Sequence, residues 1–223
     1  MLIIAHRGAS AKELENTRAA FKLARELGAD GVELDVHATK DGEIVVHHDP
    51  LINGIAISET VGADVRESVL QNGETVPTLQ ETLDILGPEC IVFVELKSLP
   101  ATFDDDLLSI LHRGPNPANC RIHSFDHRIV RRIREKDPTF PGGILSTSYP
   151  VYPAEQIKQA GASALWQQDA MVDNDLVDTV HNHGFEVYVW TVDDETRAVE
   201  LRDIGVDGIC TNTPDVIRRA VQR

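Results

Sequence analysis

Two runs of this sequence place acids where a strand would put them on one face. In Gly31-Val32-Glu33-Leu34-Asp35-Val36 the side chains of an extended chain alternate, so Val32, Leu34 and Val36 share one face while Glu33 and Asp35 share the other. Ile91-Val92-Phe93-Val94-Glu95-Leu96-Lys97 is a second apolar run, and it ends in Glu95 and Lys97, again on one face. On an exposed edge strand these acids would make only a solvated rim, and Glu95 with Lys97 only a surface pair. On a strand covered on both sides, unpaired carboxylates carry a large desolvation cost. A hard divalent cation with oxygen ligands removes that cost. Glu33, Asp35 and Glu95 therefore suit Mg²⁺ or Ca²⁺, and neither a Cys pair nor a helical His pair is spaced for zinc.

Histidines follow two other apolar runs. Ile4-Ala5-His6-Arg7-Gly8 ends a strand in an imidazole and a fixed cation, and Val45-Val46-His47-His48-Asp49 ends another. A lone histidine is more often structural than catalytic. Two of them, His6 with His47 or His48, brought by different strands to an acidic metal site, have the makings of a general acid/base pair. His37, His112, His123, His127, His181 and His183 read as structural or surface groups.

Positioning these groups requires an alternation of strands and helices, and the sequence carries one. Strand patterns fall at Leu2–Ala5, Gly31–Val36, Ile44–His48, Ile91–Leu96, Arg121–Phe125, Gly143–Ser146, Ala162–Trp166, Glu186–Trp190 and Gly208–Thr211. Thr17–Leu27 has a helical apolar stripe, with Asn16 as its expected N-cap and Gly28 as its stop. Further helical patterns cover Leu79–Leu86, Asp105–Leu111, Arg128–Glu135, Ala154–Ala160, Asp175–Asn182, Glu195–Asp203 and Pro214–Val221. Asp41-Gly42 is a hairpin-turn signal, and too few residues separate Val36 from Ile44 for a parallel crossover. Ile44–His48 should therefore fold back antiparallel on the second strand. The remaining strands, each followed by a helix, predict an α/β fold: a (βα)₈ TIM barrel over residues 1–223 with a hairpin extension after its second strand. Residues 51–76 break the alternation and read as a small insertion above the barrel. Trp166 ends the sixth barrel strand in this reading, and active sites of such barrels form at the carboxyl ends of the strands.

The 223 residues are 42% hydrophobic and 26% charged, enough for one domain with a substantial core. Leu2-Ile3-Ile4 is too short for a signal-peptide core, and no apolar run has the length of a membrane span. Cys90, Cys120 and Cys210 are scattered and odd in number, which argues against disulfides and points to the cytoplasm. A formal net charge of −15 disfavours nucleic acid and stable association with anionic membranes. It also means that an anionic substrate must be met by a local positive feature.

Taken in order, His6-Arg7-Gly8, Glu15-Asn16-Thr17, Glu33-Leu34-Asp35, Asp41-Gly42, His48-Asp49, Pro77-Thr78-Leu79, Glu95-Leu96-Lys97, Ser124-Phe125, Trp190-Thr191-Val192 and Gly205-Val206-Asp207-Gly208-Ile209 resemble the glycerophosphodiester phosphodiesterase family in its short form. The resemblance implies a divalent metal on Glu33, Asp35 and Glu95, catalytic His6 and His48, and phosphate contacts from Arg7 with Lys97 nearby. It further implies Trp190 as a substrate wall, with Glu15, Asp49 and Phe125 in support. The implied reaction converts a glycerophosphodiester, as a small-molecule partner, to sn-glycerol 3-phosphate and an alcohol. Leu14, Asp193 and Asn212 depart from the family pattern, which commonly has proline, asparagine and aspartate there. A lipid-directed phosphodiesterase of phospholipase D-like or phosphoinositide type is the rival within this fold. A non-catalytic metal-binding barrel is the rival outside catalysis, but it has no need of two histidines beside the carboxylates.

Overall fold

A computed structural model describes residues 1–223. Its ring of parallel strands comprises β1 (Leu2–His6), β2 (Gly31–Ala38), β6 (Ile91–Ser98), β7 (Cys120–Ser124), β8 (Gly142–Ser146), β9 (Ala164–Gln168), β10 (Glu186–Trp190) and β11 (Gly208–Thr211). Each strand pairs with the next around the ring, and parallel pairing of β1 with both β11 and β2 closes the barrel. The outer helices are α1 (Arg18–Glu26), α3 (Leu79–Leu86), α4 (Asp104–Arg113), α5 (His127–Lys136), α6 (Pro153–Gln159), α7 (Asn174–Asn182), α8 (Glu195–Asp203) and α9 (Pro214–Val221). The fold is the TIM barrel that the alternation predicts.

One strand lies outside the ring. β3 (Ile44–Val46) runs antiparallel to the end of β2, pairing Val36 with Val46 and Ala38 with Ile44. After it, residues 51–76 add no strand to the barrel. They form a short hairpin, β4 (Leu51–Ile52) and β5 (Ile55–Ala56), and one helix, α2 (Gly62–Arg66). Their buried Ile52, Ile57, Val65 and Val76 pack with Val45 as a separate small apolar cluster.

Strand alternation divides the core in two. Outward residues such as Val32, Leu34, Val92, Val94 and Ile122 pack beneath the helices. Inward residues Ile4, Phe93, Leu145, Trp166, Tyr188 and Cys210 fill the barrel. Phe93 meets Trp166 and Tyr188 edge-on, at centroid distances of 5.0 and 5.3 Å. Such rings are admitted because their neighbours lack side chains. A Cβ on Gly143 would lie 2.7 Å from Trp166 Cδ1, and one on Gly208 would lie 2.7 Å from Tyr188 Cδ1.

Two local expectations need correction. Thr17 is the N-cap of α1, accepting a hydrogen bond from the Ala20 amide, while Asn16 turns inward to Asp35. β9 begins at Ala164, since Gly161 (φ +63°) and Ala162, whose amide donates to the Ile157 carbonyl, still belong to the cap of α6. Trp166 consequently lies mid-strand and buried, not at a strand end.

Candidate active site

The carboxyl ends of the barrel strands enclose a cavity of about 90 Å³. His6, Arg7, Glu33, His48, Glu95, Lys97 and His123 supply its polar lining, and Phe125, Leu145, Trp166, Trp190 and Cys210 the remainder. Parallel register sets the layers. His6 stands beside Glu33, while Asp35, Glu95 and His123 form one row across β2, β6 and β7.

The three acids have unequal surroundings. Asp35 is wholly buried, but Arg7 Nε lies 3.1 Å from its Oδ2, Lys97 Nζ lies 3.6 Å from its Oδ1, and Asn16 Nδ2 donates to Oδ2 at 2.7 Å. Burial alone would raise its pKa; the two cations and the amide outweigh burial and hold the carboxyl below its ordinary range. Glu33 receives the Arg7 amide at 3.1 Å, and Glu95 has Lys97 Nζ at 3.0 Å. Neither is fully compensated. Burial, then the charge on Asp35, raises both carboxyls to about 7.

Arg7 is fixed by its backbone as well as its partners. It has φ +55°, a left-handed conformation that non-glycine residues seldom adopt. Gly8 follows at φ +86°, and a Cβ there would strike the Ala20 backbone at 2.7 Å. Glu15 grips the guanidinium from outside, at 2.9 Å from Nη1. Strain of this kind persists where surrounding structure over-determines it, commonly at functional sites.

The donors that gather closely enough for one ion are Glu33, Glu95 and His123, whose ligating atoms lie within 4.8 Å of one another. Asp35, the third carboxylate expected of the metal site, lies beside Glu95 in the same row and is also paired with Arg7 and Lys97. Asp35 Oδ1 nevertheless has no hydrogen-bond donor although buried. Undercompensated carboxylates and an orphaned carboxylate oxygen form a donor set that fits a divalent cation.

Each expected catalytic histidine has an orienting partner at Nδ1. His48 Nδ1 lies 2.8 Å from Asp49 Oδ1. His37 also supports this segment, with Nε2 3.0 Å from the His48 carbonyl. His47 stays out of the cavity and lines a separate groove, which resolves the choice between the adjacent histidines as to location. His6 Nδ1 lies 2.7 Å from Asn212 Oδ1. Asp193 accepts from Asn212 Nδ2 at 2.6 Å and from its backbone amide at 2.8 Å, so the Asn212 amide must face its oxygen toward His6. His6 then donates through Nδ1, leaving Nε2 as its free nitrogen.

Across the cavity, Phe125 and Trp190 meet edge to face at 5.5 Å, and Lys97 Nζ lies 6.0 Å from the Phe125 ring centre. Trp190 Nε1 donates to the Trp166 carbonyl at 3.2 Å. Trp166 in turn stacks on His123 at 4.4 Å. Trp166 lines the cavity, as its place near the barrel mouth suggested, while His123, Asn212 and Asp193 are the site residues that sequence reasoning gave no role. Strand parity was the available signal for His123, because Arg121, His123 and Phe125 alternate with Ile122 and Ser124.

The profile of the glycerophosphoryl diester phosphodiesterase family matches residues 6–216. This chain belongs to that family. The chain is thus an enzyme, a phosphodiesterase of the glycerophosphodiester class. A glycerophosphodiester phosphodiesterase of Caldanaerobacter subterraneus subsp. tengcongensis is 32% identical over 238 residues, covering 100% of this chain and 98% of the relative. Among solved structures, a glycerophosphodiester phosphodiesterase from Parabacteroides distasonis superposes with a TM-score of 0.89 at 27% identity, covering 99% of this chain and 96% of that one. An Oleispira antarctica phosphodiesterase, solved with its product sn-glycerol-3-phosphate, shares the fold with a TM-score of 0.91 at 24% identity, covering 100% of this chain and 97% of that one.

Proposed function

We propose that this enzyme hydrolyses glycerophosphodiesters to sn-glycerol 3-phosphate and an alcohol, using a divalent cation and a histidine acid/base pair. The observation that carries this reading is the convergence of two Nδ1-anchored histidines, His6 and His48, on a cavity shared by Arg7, Lys97 and the undercompensated Glu33 and Glu95.

Glu33, Asp35 and Glu95 would hold the cation, Mg²⁺ or Ca²⁺ by the chemistry of oxygen donors. When bound, that cation offsets phosphate charge and acidifies a neighbouring hydroxyl. Arg7 and Lys97 bind the phosphate oxygens by charge-assisted hydrogen bonds. They supply the local positive potential that the acidic surface lacks. One histidine accepts the proton of the attacking hydroxyl at Nε2, and the other donates its Nε2 proton to the departing alkoxide. Phe125 and Trp190 wall the glycerol carbons and exclude water. Attack by the substrate's own 2-hydroxyl gains from proximity, so the first product is the alcohol together with a cyclic glycerophosphate. Water then opens that ring with the histidine roles exchanged.

The test is release of glycerol 3-phosphate from a panel of glycerophosphodiesters, before and after metal removal and replacement. An analogue lacking only the 2-hydroxyl should bind and react very slowly; hydrolysis at the natural rate would replace the cyclic route with direct attack by water. A lipid diester is a second reading, favoured by Phe125, Tyr149, Val151, Tyr152 and Met171, exposed on loops that follow β7, β8 and β9. A lysophospholipid in the same panel decides it.

A further inference from the structure

His123 is an unusual residue to find in a packed barrel layer. It is 1% exposed, and neither of its nitrogens makes a hydrogen bond. Nε2 faces Glu33 Oε1 at 3.8 Å, too far for such a bond, and Nδ1 has no partner at all. A buried polar group left this way is destabilising, and an apolar side chain would pack on Trp166 without that cost. The structure nevertheless fixes the ring firmly. It stacks on the Trp166 indole at 4.4 Å and 17°, and Gly143 has no Cβ to obstruct the pair, since one would lie 3.3 Å from the Cβ of His123. An imidazole held rigidly, unsatisfied and facing two carboxylates lacks only one thing, an electrophile between them.

We infer that His123 is a nitrogen ligand of the metal site, completing with Glu33 and Glu95 a mixed oxygen–nitrogen set that takes a borderline divalent cation such as Mn²⁺ in preference to Ca²⁺. The inference rests on the metal-dependent reading above and names that site's ligands and metal class. Ligands held at about 2.1 Å from a first-row ion lie up to about 4.2 Å apart. The donor spacing, within 4.8 Å, thus needs only small rotations. Ca²⁺ seeks six to eight oxygens, whereas imidazole suits first-row transition ions.

Pulsed electron paramagnetic resonance on the metal-stripped protein reloaded with Mn²⁺ tests the ligand directly. The expected spectrum shows ¹⁴N coupling from a bound imidazole, lost in His123→Gln and retained in His6→Gln and His48→Gln. If His123→Gln does not fold, coupling that also survives in His37→Gln, His47→Gln and His127→Gln identifies His123 by elimination. Competition calorimetry should show Mn²⁺ binding at least tenfold tighter than Ca²⁺ in the wild type, with the preference gone in His123→Gln. Mn²⁺ bound without nitrogen coupling, or Ca²⁺ bound more tightly, overturns the inference while leaving the diesterase reading intact. Coupling present in a protein that cleaves no glycerophosphodiester has the opposite meaning: the ligand set stands and the proposed reaction falls.

Discussion

Strands β1, β2 and β6 bring His6, Arg7, Glu33, Asp35, Glu95 and Lys97 to the barrel mouth, whereas β8, β9 and β10 bring Leu145, Trp166 and Trp190. The first half is held at a cost. It contains Arg7 in a left-handed conformation, a second left-handed residue in Asn16, and two carboxyls raised to about 7 by burial and then by the charge on Asp35. The second half is ordinary apolar packing that continues into the barrel interior. Destabilising features therefore concentrate where charge must be placed, and the rest of the ring supplies shape and exclusion of water. If that division is sound, changes in the charged half should act on kcat, and changes in the apolar half on KM.

The most severe way to probe the division is to empty the charged half. Stripping the cation should abolish release of glycerol 3-phosphate, and Glu33→Gln or Glu95→Gln should weaken both metal binding and turnover. Wild-type metal affinity in both variants, read by calorimetry, would break the ligand assignment. Next in size, His6→Ala and His48→Ala should each lose on the order of 10²- to 10⁴-fold in kcat, with metal binding kept. Near-normal turnover in His48→Ala would move the role to His47. Smaller again, Asp193→Asn removes the group that orients Asn212, and kcat should fall by roughly tenfold with KM steady; a change confined to KM would show that His6 does not depend on this pair. Trp190→Leu should have the mildest effect, raising KM by roughly threefold while leaving kcat alone. A larger loss in kcat than in KM there would erase the distinction between the halves.

Proton linkage offers a test that needs no substitution. Because Glu33 and Glu95 are raised to about 7, the folded metal-free protein binds protons there that the unfolded chain has released. Their contribution to stability is present below about pH 4.5 and lost as pH rises through 7. His123, lowered to about 4, acts with the opposite sign, losing stability as pH falls from about 6.5 towards 4. Between pH 6.5 and 8 the two carboxylates outweigh His123, whose contribution fades over the same interval. The metal-free Tm should decline across that interval, and the loaded protein should resist the decline. Metal affinity should also weaken below pH 7 as protons compete for the ligands. Parallel declines with and without the cation would mean that it does not bind these two acids.

Much of this could be read in advance because period and turn chemistry are local. Alternation in β2 placed Glu33 and Asp35 on the inward face, and Asp41-Gly42 identified β3 as a return strand. What escaped depends on register and on through-space partners. His123 joins the acids only because β6 and β7 set it beside Glu95. Asn212 serves His6 across 206 positions of sequence, and its orientation depends on Asp193. Asp35 sits in the same strand face as Glu33 yet differs in its surroundings, since Arg7 approaches it from a neighbouring strand end and Lys97 from β6. No pattern along the chain specifies which of two similar acids will find cations.

The aromatic layer of Phe93, Trp166 and Tyr188 has a consequence for traffic. Below those rings the barrel leaves a space of only about 10 Å³, room for about one water molecule. A space of that size passes neither substrate nor product, so the barrel floor is closed to both. With the diester cut, the alcohol can depart while glycerol 3-phosphate still occupies the cations, and no second substrate can be admitted until it goes. Accumulated product should accordingly act as a competitive inhibitor, and turnover at saturation should follow how quickly Arg7 and Lys97 let go of a phosphate monoester. Inhibition by added glycerol 3-phosphate that high diester concentration fails to relieve would mean that the chamber has a second exit.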